Sequence, residues 1–262
     1  MRKIRRFILV VFFLIFQISC ENNHDRSVDY TARYEAEVKS FVLYSYHEKV
    51  ELSLYVLDSL LENCSFNRNG FRNETALLEK YLGDPNSPYR NEQLYEDVLR
   101  SEIASRWYDE TEKKIKDSHL NLIRQNRAGN LANDFTFTTP KGESERLFEI
   151  PANRVLLFFY NPECEACKEM KARLSSSRVI NNAITRGQLK VLAIYVDRDE
   201  NIWRKHLKEN PNAWLEGRDE NESLYENNIY DLHAIPTIYL LDENKMVILK
   251  DCMSIPDIEE RL

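Results

Sequence analysis

Apolar positions change their spacing near Gly129, and the change divides the chain into two kinds of structure. Between about Tyr30 and Arg127, residues Tyr34, Val38, Val42, Leu52, Val56, Leu60 and Leu61 recur at intervals near three, four and seven, with charges between them. That is the spacing of amphipathic helices. Breaks are predicted at Asn67-Arg68-Asn69-Gly70 and at Gly83-Asp84-Pro85-Asn86-Ser87-Pro88, where glycine, proline and asparagine favour turns. Further helices are predicted over 91–107 and 110–126.

Beyond Gly129 the stretch Asp134 to Thr139 alternates, Pro140-Lys141-Gly142 turns, and Glu145 to Ile150 returns as a hairpin. Strand and helix then alternate: a strand over 155–160, a helix to about Ser175, a helix over 178–185 and a strand over 190–196. A helix over 201–209, a Trp214-Leu215 segment, a strand within His233 to Leu241, a strand over 246–249 and a closing helix over 256–262 follow. The almost wholly apolar strand at 190–196 suits the middle of a sheet covered on both faces. The chain therefore reads as an all-α domain over 30–128 followed by an α/β domain over 129–262. The second has a central mixed sheet, helices on both faces and an antiparallel final strand pair.

The first nineteen residues stand apart from both. Arg2, Lys3, Arg5 and Arg6 precede an apolar segment from Phe7 to Phe16, too short for a simple spanning helix, that meets Gln17-Ile18-Ser19-Cys20. This predicts an export signal over 1–19. Ser19 before Cys20 resembles the lipobox of bacterial lipoproteins, which implies a lipid anchor on Cys20 and attachment to a membrane. Gln17 stands where leucine is usual, so cleavage without lipidation is the alternative. The polar residues 20–29 read as a tether. Either route places the mature chain outside the cytoplasm, facing the periplasm. Removing the four basic residues moves the formal net charge from −7 to −11, which disfavours nucleic-acid binding.

With 262 residues, neither domain needs disulfides to complete its core, and five cysteines are too few for a disulfide scaffold. Two of them carry the candidate chemistry. Cys164 and Cys167 follow the strand and open a helix-compatible run, placing one thiol at a helix N-terminus and the other about one turn later. Unpaired N–H groups there favour a thiolate at the first, and the second can attack the mixed disulfide that forms. Zinc would want two further ligands, and His206 and His233 have no ligand-like spacing, so neither a metal nor an organic cofactor is expected.

The strand over 155–160, Cys164-Glu165-Ala166-Cys167 and the Ile235-Pro236-Thr237 triplet some seventy residues later resemble the thioredoxin-like thiol-disulfide oxidoreductases of the bacterial extracytoplasmic space. The resemblance implies that Cys164 attacks and Cys167 resolves. It also implies that a cis Pro236, with Ile235 and Thr237, holds the substrate backbone. Its implied partners are cysteine-containing extracytoplasmic proteins and a membrane electron donor. Upstream, the segment from Tyr81 to Glu92 resembles the N-terminal helical domain of thioredoxin-like lipoproteins from Bacteroides-type bacteria.

Several positions depart from that family. Phe158 stands where many members carry a buried acid beneath the second cysteine, and Met170 where others have a glutamate. Glu169 is then the candidate proton acceptor, set against a solvated surface charge. Glu163 and Glu165 flank Cys164 and oppose the helix terminus, which predicts a reductant or isomerase rather than an oxidant. Cys252, separated from the last strand by two residues, is a candidate resolving or redox-sensitive thiol, or an unreactive half-buried one. His233 is a candidate rim residue, or an exposed histidine without a role. Cys64 reads as packing, as do the tyrosines at 30, 34, 44, 46 and 55, which otherwise would present an aromatic binding surface. The competing function is a redox-inactive member acting as a binding or scaffold module.

Overall fold

The computed structural model describes residues 30–220 and 222–262, with side chains from residue 34. The predicted export signal over 1–19, Cys20 and the tether over 20–29 lie outside the described residues. Five helices come first: α1 (Tyr30–His47), α2 (Val50–Cys64), α3 (Arg68–Leu78), α4 (Glu92–Ala104) and α5 (Glu110–Arg124). They enclose one apolar core that includes Phe41, Leu57, Phe71, Leu78, Tyr95 and Leu99.

Two local features differ from the pattern. The chain leaves helix at Glu48 and Lys49, so the phase set by Val38 and Val42 restarts in α2. There Leu57, Leu60 and Leu61 are buried while Leu52 is exposed. The break expected at 67–70 is confined to its first residue. Asn67 caps α3 through its side chain, which accepts from the N–H groups of Asn69 and Gly70. At Gly70, inside the helix, a β-carbon would lie 2.6 Å from the Tyr34 hydroxyl, so a larger residue would require the Tyr34 side chain to shift.

Charge ties α4 to α5 and to the connection beyond. Glu96 accepts from Arg100, Arg124 and Arg127. Burial alone would raise this carboxyl, yet the three guanidinium groups hold it at about 2. A capping box of Asp109 and Glu112 starts α5.

The second part is a seven-stranded mixed sheet in the order β2-β1-β5-β4-β3-β6-β7. Its strands are β1 (Thr136–Thr138), β2 (Ser144–Arg146), β3 (Arg154–Tyr160), β4 (Leu189–Tyr195), β5 (Leu215–Arg218), β6 (Thr237–Asp242) and β7 (Val247–Leu249). β3 pairs parallel with β4 over its whole length and antiparallel with β6 from Arg154 to Phe159, so it is central and its residues from Val155 to Tyr160 are all buried. β4 also pairs parallel with β5, which makes a strand of the unassigned Leu215 segment. The final pair, β6 and β7, is antiparallel.

Alternate residues of β3 feed two cores. Leu156, Phe158 and Tyr160 face α6 (Glu165–Ser176), α7 (Arg178–Thr185), α8 (Glu200–His206) and α10 (Ile255–Glu260). Val155, Leu157 and Phe159 face Phe135, Tyr230 and the short α9 (Ser223–Glu226). Residues 129–132 run along the free edge of β7, with the N–H of Gly129 donating to Val247 O at 2.8 Å and that of Ala132 to Lys245 O at 2.9 Å. This covers an edge that would otherwise present unpaired backbone groups.

The helical part is joined to the sheet by polar groups. Arg90 pairs with Glu92 at 2.9 Å, with Asp231 at 3.4 Å and with Asp251. Lys250 reaches Glu92 and the carbonyl of Ile123, each at 2.7 Å. The Tyr81 to Glu92 segment builds the support for Arg90. Ser87 Oγ donates to Tyr81 O at 2.5 Å, and Asn91 donates its N–H to Leu82 O while its side chain caps α4.

Candidate active site

β3 ends at Tyr160 and a four-residue loop delivers Cys164 to the first turn of α6. The Asn161 side chain shapes that loop: its Oδ1 accepts from the Glu163 N–H at 2.8 Å and its Nδ2 donates to Asp197 at 3.0 Å. Cys164 is the N-cap of α6, and its Sγ accepts from the Cys167 N–H at 3.4 Å. A helix-terminal amide therefore points at this sulfur, where it would stabilise a negative charge.

The two thiols differ in exposure. Cys164 is half-buried and Cys167 is 1 % exposed, and both are free. Burial pushes the Cys167 thiol up to about 12; the Asn161 backbone opposes this and the neighbouring Cys164 adds to it.

Across the site, the Ile235–Pro236 peptide bond is cis. The Cys164 thiol donates to Ile235 O at 3.7 Å, so the loop before β6 lies against this sulfur. Thr237 anchors the loop by donating from its hydroxyl to Ala234 O at 2.6 Å. Cys164, Cys167, Ile235, Pro236 and Thr237 are thus brought together.

The accessory candidates fall elsewhere. Glu169 is exposed on α6, so it is not a buried acceptor for the Cys167 proton. Its neighbour Met170 takes the inward position, because one residue further along a helix rotates the side chain by about 100°. Cys252 is half-buried, its thiol donates to Ser254 O at 3.6 Å, and burial raises its pKa. His233 is exposed at the rim with Nδ1 2.7 Å from Asp231. Cys64 is buried in the helical core, where burial drives its thiol far up. Glu163 and Glu165 both point to solvent, and Glu165 pairs with Lys168 at 3.3 Å.

A half-buried acid does exist on the dithiol face of the sheet, at a position the sequence did not single out. Glu216 of β5 accepts from Tyr160 Oη at 3.1 Å and from Asn210 Nδ2 at 2.7 Å. Tyr160 stacks on Phe158, with ring centroids 5.3 Å apart. Burial raises the Glu216 carboxyl to about 7, against the pull of Asn210, Tyr160 and Lys171. A lone glutamate in a four-residue strand gives little signal. It becomes visible only when β5 is known to pair with β4 so that Glu216 sits opposite Ala193.

The sign of its pH effect follows. An acid raised on folding destabilises the native state as pH climbs from its ordinary value of 4.5 through about 7, since the unfolded chain loses the proton first. Urea unfolding is expected to show stability falling from pH 5 to pH 8, with this group contributing at most about 3 kcal/mol. Glu216→Gln should remove that part of the fall. Equal pH dependence in both proteins would contradict the assignment.

Among the described residues, no group of three or more His, Cys, Asp or Glu is placed to hold a metal ion, and no helix is long and apolar enough to cross a membrane.

A central strand feeding a helix-capping dithiol, closed by a cis-prolyl loop on the neighbouring antiparallel strand, defines a thioredoxin-type site. The comparisons agree. The family described as Thioredoxin-like matches residues 153–247, and a domain of unknown function, DUF5106, matches residues 16–126. A thioredoxin-like protein from Bacteroides caccae is 35% identical over 93% of this chain and 88% of its own, with a TM-score of 0.85. The C-terminal domain of an uncharacterized Bacteroides fragilis protein is 43% identical, covering 52% of this chain and 97% of its own, with a TM-score of 0.51. A conserved Bacteroides fragilis protein of unknown function is 34% identical over 52% of this chain and 98% of its own, with a TM-score of 0.50. The comparison with curated proteins gave no match. The chain belongs to the thioredoxin-like family, in a form that carries a helical region ahead of the redox-type domain.

Proposed function

We propose that the protein is an exported thiol-disulfide oxidoreductase that reduces or isomerises disulfides of extracytoplasmic proteins. In this reading residues 1–19 direct export, Cys20 carries a lipid, and the mature chain faces the periplasm. The observation that carries the reading is the asymmetry of the dithiol. Cys164 is accessible, capped by a helix amide and set against Ile235 O, whereas Cys167 is buried behind it.

The chemistry balances over two steps. The Cys164 thiolate attacks one sulfur of a substrate disulfide, forming a mixed disulfide and releasing a substrate thiolate that takes a proton. Cys167 then loses its proton and attacks Cys164 Sγ, releasing the second substrate thiol. The substrate gains two electrons and the protein is left with a Cys164–Cys167 disulfide. A thiol donor at the membrane restores the dithiol. Once Cys164 is bound in the mixed disulfide its charge no longer opposes ionisation of Cys167, so the resolving thiol is eased at the step that needs it.

The exposed carboxylates of Glu163 and Glu165 beside the attacking thiol favour a reducing couple. Equilibration with glutathione is expected to give a potential of about −200 mV or lower, and a value near −120 mV, that of a dedicated oxidant, would contradict it. One observation favours the alternative of a redox-inactive binding module: the side chains of Phe158 and Met170 in the core shared with Cys167 are apolar and supply no proton acceptor. A chain that never equilibrates with glutathione would support that reading.

A further inference from the structure

A cleft of about 640 Å³ opens between the helical part and the loop that leads into β6. One wall is the end of α3 and the turn after it, with Ala76, Gly83 and Pro85; a second is the face of α5 carrying Ile115, His119 and Leu122. The third is the loop bearing Asp231 and His233. Its size is that of a site for a small molecule or a large side chain.

The charged groups around the cleft already have partners. Glu79 pairs with Lys116 at 3.0 Å, Asp231 with His233 and Arg90, and Asp84 accepts from the Asn86 N–H at 2.8 Å. Lys80 lies over the ring of Tyr81. Besides these groups the lining consists of apolar surface, the two imidazoles and the polar side chains of Ser118 and Asn228. Ile115 is 64% exposed, a large apolar side chain left open to water. His119 and His233 line one side with ring centroids 6.2 Å apart; behind this lining His119 meets the buried Tyr95 at 5.3 Å and His233 meets Tyr225 at 6.2 Å. Burial lowers the pKa of His119, against Asp231 and Glu79 and with the help of His233 and Lys116, which disfavours its charged form. Such a lining matches a planar apolar group held edge to face.

Position identifies the source of that group. His233 is three residues before Pro236, so the two lie at most about 10 Å apart. A polypeptide lying along the cis-prolyl loop with its disulfide at Cys164 would pass the mouth of the cleft within a few residues.

We propose that the cleft is a subsite for the substrate polypeptide, taking an aromatic side chain about three residues from the target cysteine. The inference rests on the oxidoreductase reading for the course of the substrate. It gives the helical region a task, since α3 and α5 supply two of the three walls.

The test uses the full chain and two peptides that carry one cysteine as a mixed disulfide with glutathione. One has phenylalanine three residues from the cysteine and the other alanine. With each rate divided by that for hydroxyethyl disulfide, the phenylalanine peptide is expected to react about 10-fold faster. Ala76→Trp, which fills the cleft from an exposed helical position, should bring the ratio to one, and Ile115→Glu should lower it. Equal rates for the two peptides in the parent chain would overturn the proposal. Binding read by anisotropy of dye-labelled serine versions of the peptides, on the Cys164→Ser chain, separates it from the chemistry. If hydroxyethyl disulfide is not reduced but the phenylalanine peptide still binds about 10-fold tighter, the cleft stands and the oxidoreductase reading fails. If binding shows no preference, the cleft proposal fails whatever the chemistry.

Discussion

Cys164→Ser is expected to lose disulfide-exchange activity by about 10³-fold or more, with the fold unchanged. A hydroxyl in place of the thiol cannot form the mixed disulfide through which both steps run. The Cys167 amide and the Ile235 carbonyl that face Cys164 Sγ remain available to a serine hydroxyl, so the helix cap and the loop should survive. Cys167 cannot take over, because it is buried and its thiol is pushed up to about 12. Reduction of a protein disulfide such as that of insulin, followed by turbidity, reads the loss, and near-ultraviolet circular dichroism checks the fold. Residual activity within about 10-fold of the parent would place the chemistry on another thiol, and Cys252 would be the first to examine.

Arg90→Ala is expected to destabilise the chain by about 3 kcal/mol, the range for removing one partner of a buried charge group. The guanidinium joins Glu92 from the helical part to Asp231 and Asp251 from the sheet part, and its side chain is 15% exposed. Burial alone would raise the Asp231 carboxyl, yet His233 and Arg90 hold it below its ordinary value. Without Arg90, Asp231 and Asp251 are left close together with one cation fewer. Arg90→Lys should recover only part of the loss, since an ammonium cannot spread its donors over three carboxylates as a planar guanidinium does. Urea unfolding would show an earlier midpoint and a lower slope as the two parts come to unfold separately. A change below about 0.5 kcal/mol would mean that the pairs are solvated and contribute little.

How far this arrangement was legible in the sequence depends on how local each feature is. The dithiol, the strand before it, the helix it caps and the triplet around Pro236 each rest on contiguous residues: hydrophobic spacing located the strand and helix, cysteine spacing the dithiol, and the family resemblance the triplet. The paired strands β6 and β7 were legible through the turn at Asp242 to Lys245. Arg90 was not, because its partners Asp231 and Asp251 lie 141 and 161 residues away and nothing near Arg90 marks it as a joint. The segment around it was recognised only as a resemblance, and the structure supplies its physical reason. Glu216 was missed for a similar cause, since its burial depends on which strand lies beside a short segment. The phase error in α2 came from Glu48 and Lys49, polar residues with no glycine or proline to mark a break. Glu169 and Met170 were separated by helix phase, which a strand-to-helix loop of unknown length leaves open.

The redox assignment itself has a single most direct test. In Cys167→Ala, attack by Cys164 proceeds but resolution cannot, so a mixed disulfide should accumulate with substrate proteins in cells that export the protein. Non-reducing electrophoresis should show slower bands that collapse on reduction and disappear when Cys164 is also replaced by serine. If the Cys167→Ala protein carries no mixed disulfide while the parent also fails to reduce insulin, the dithiol does not exchange with protein disulfides, and the oxidoreductase reading is wrong.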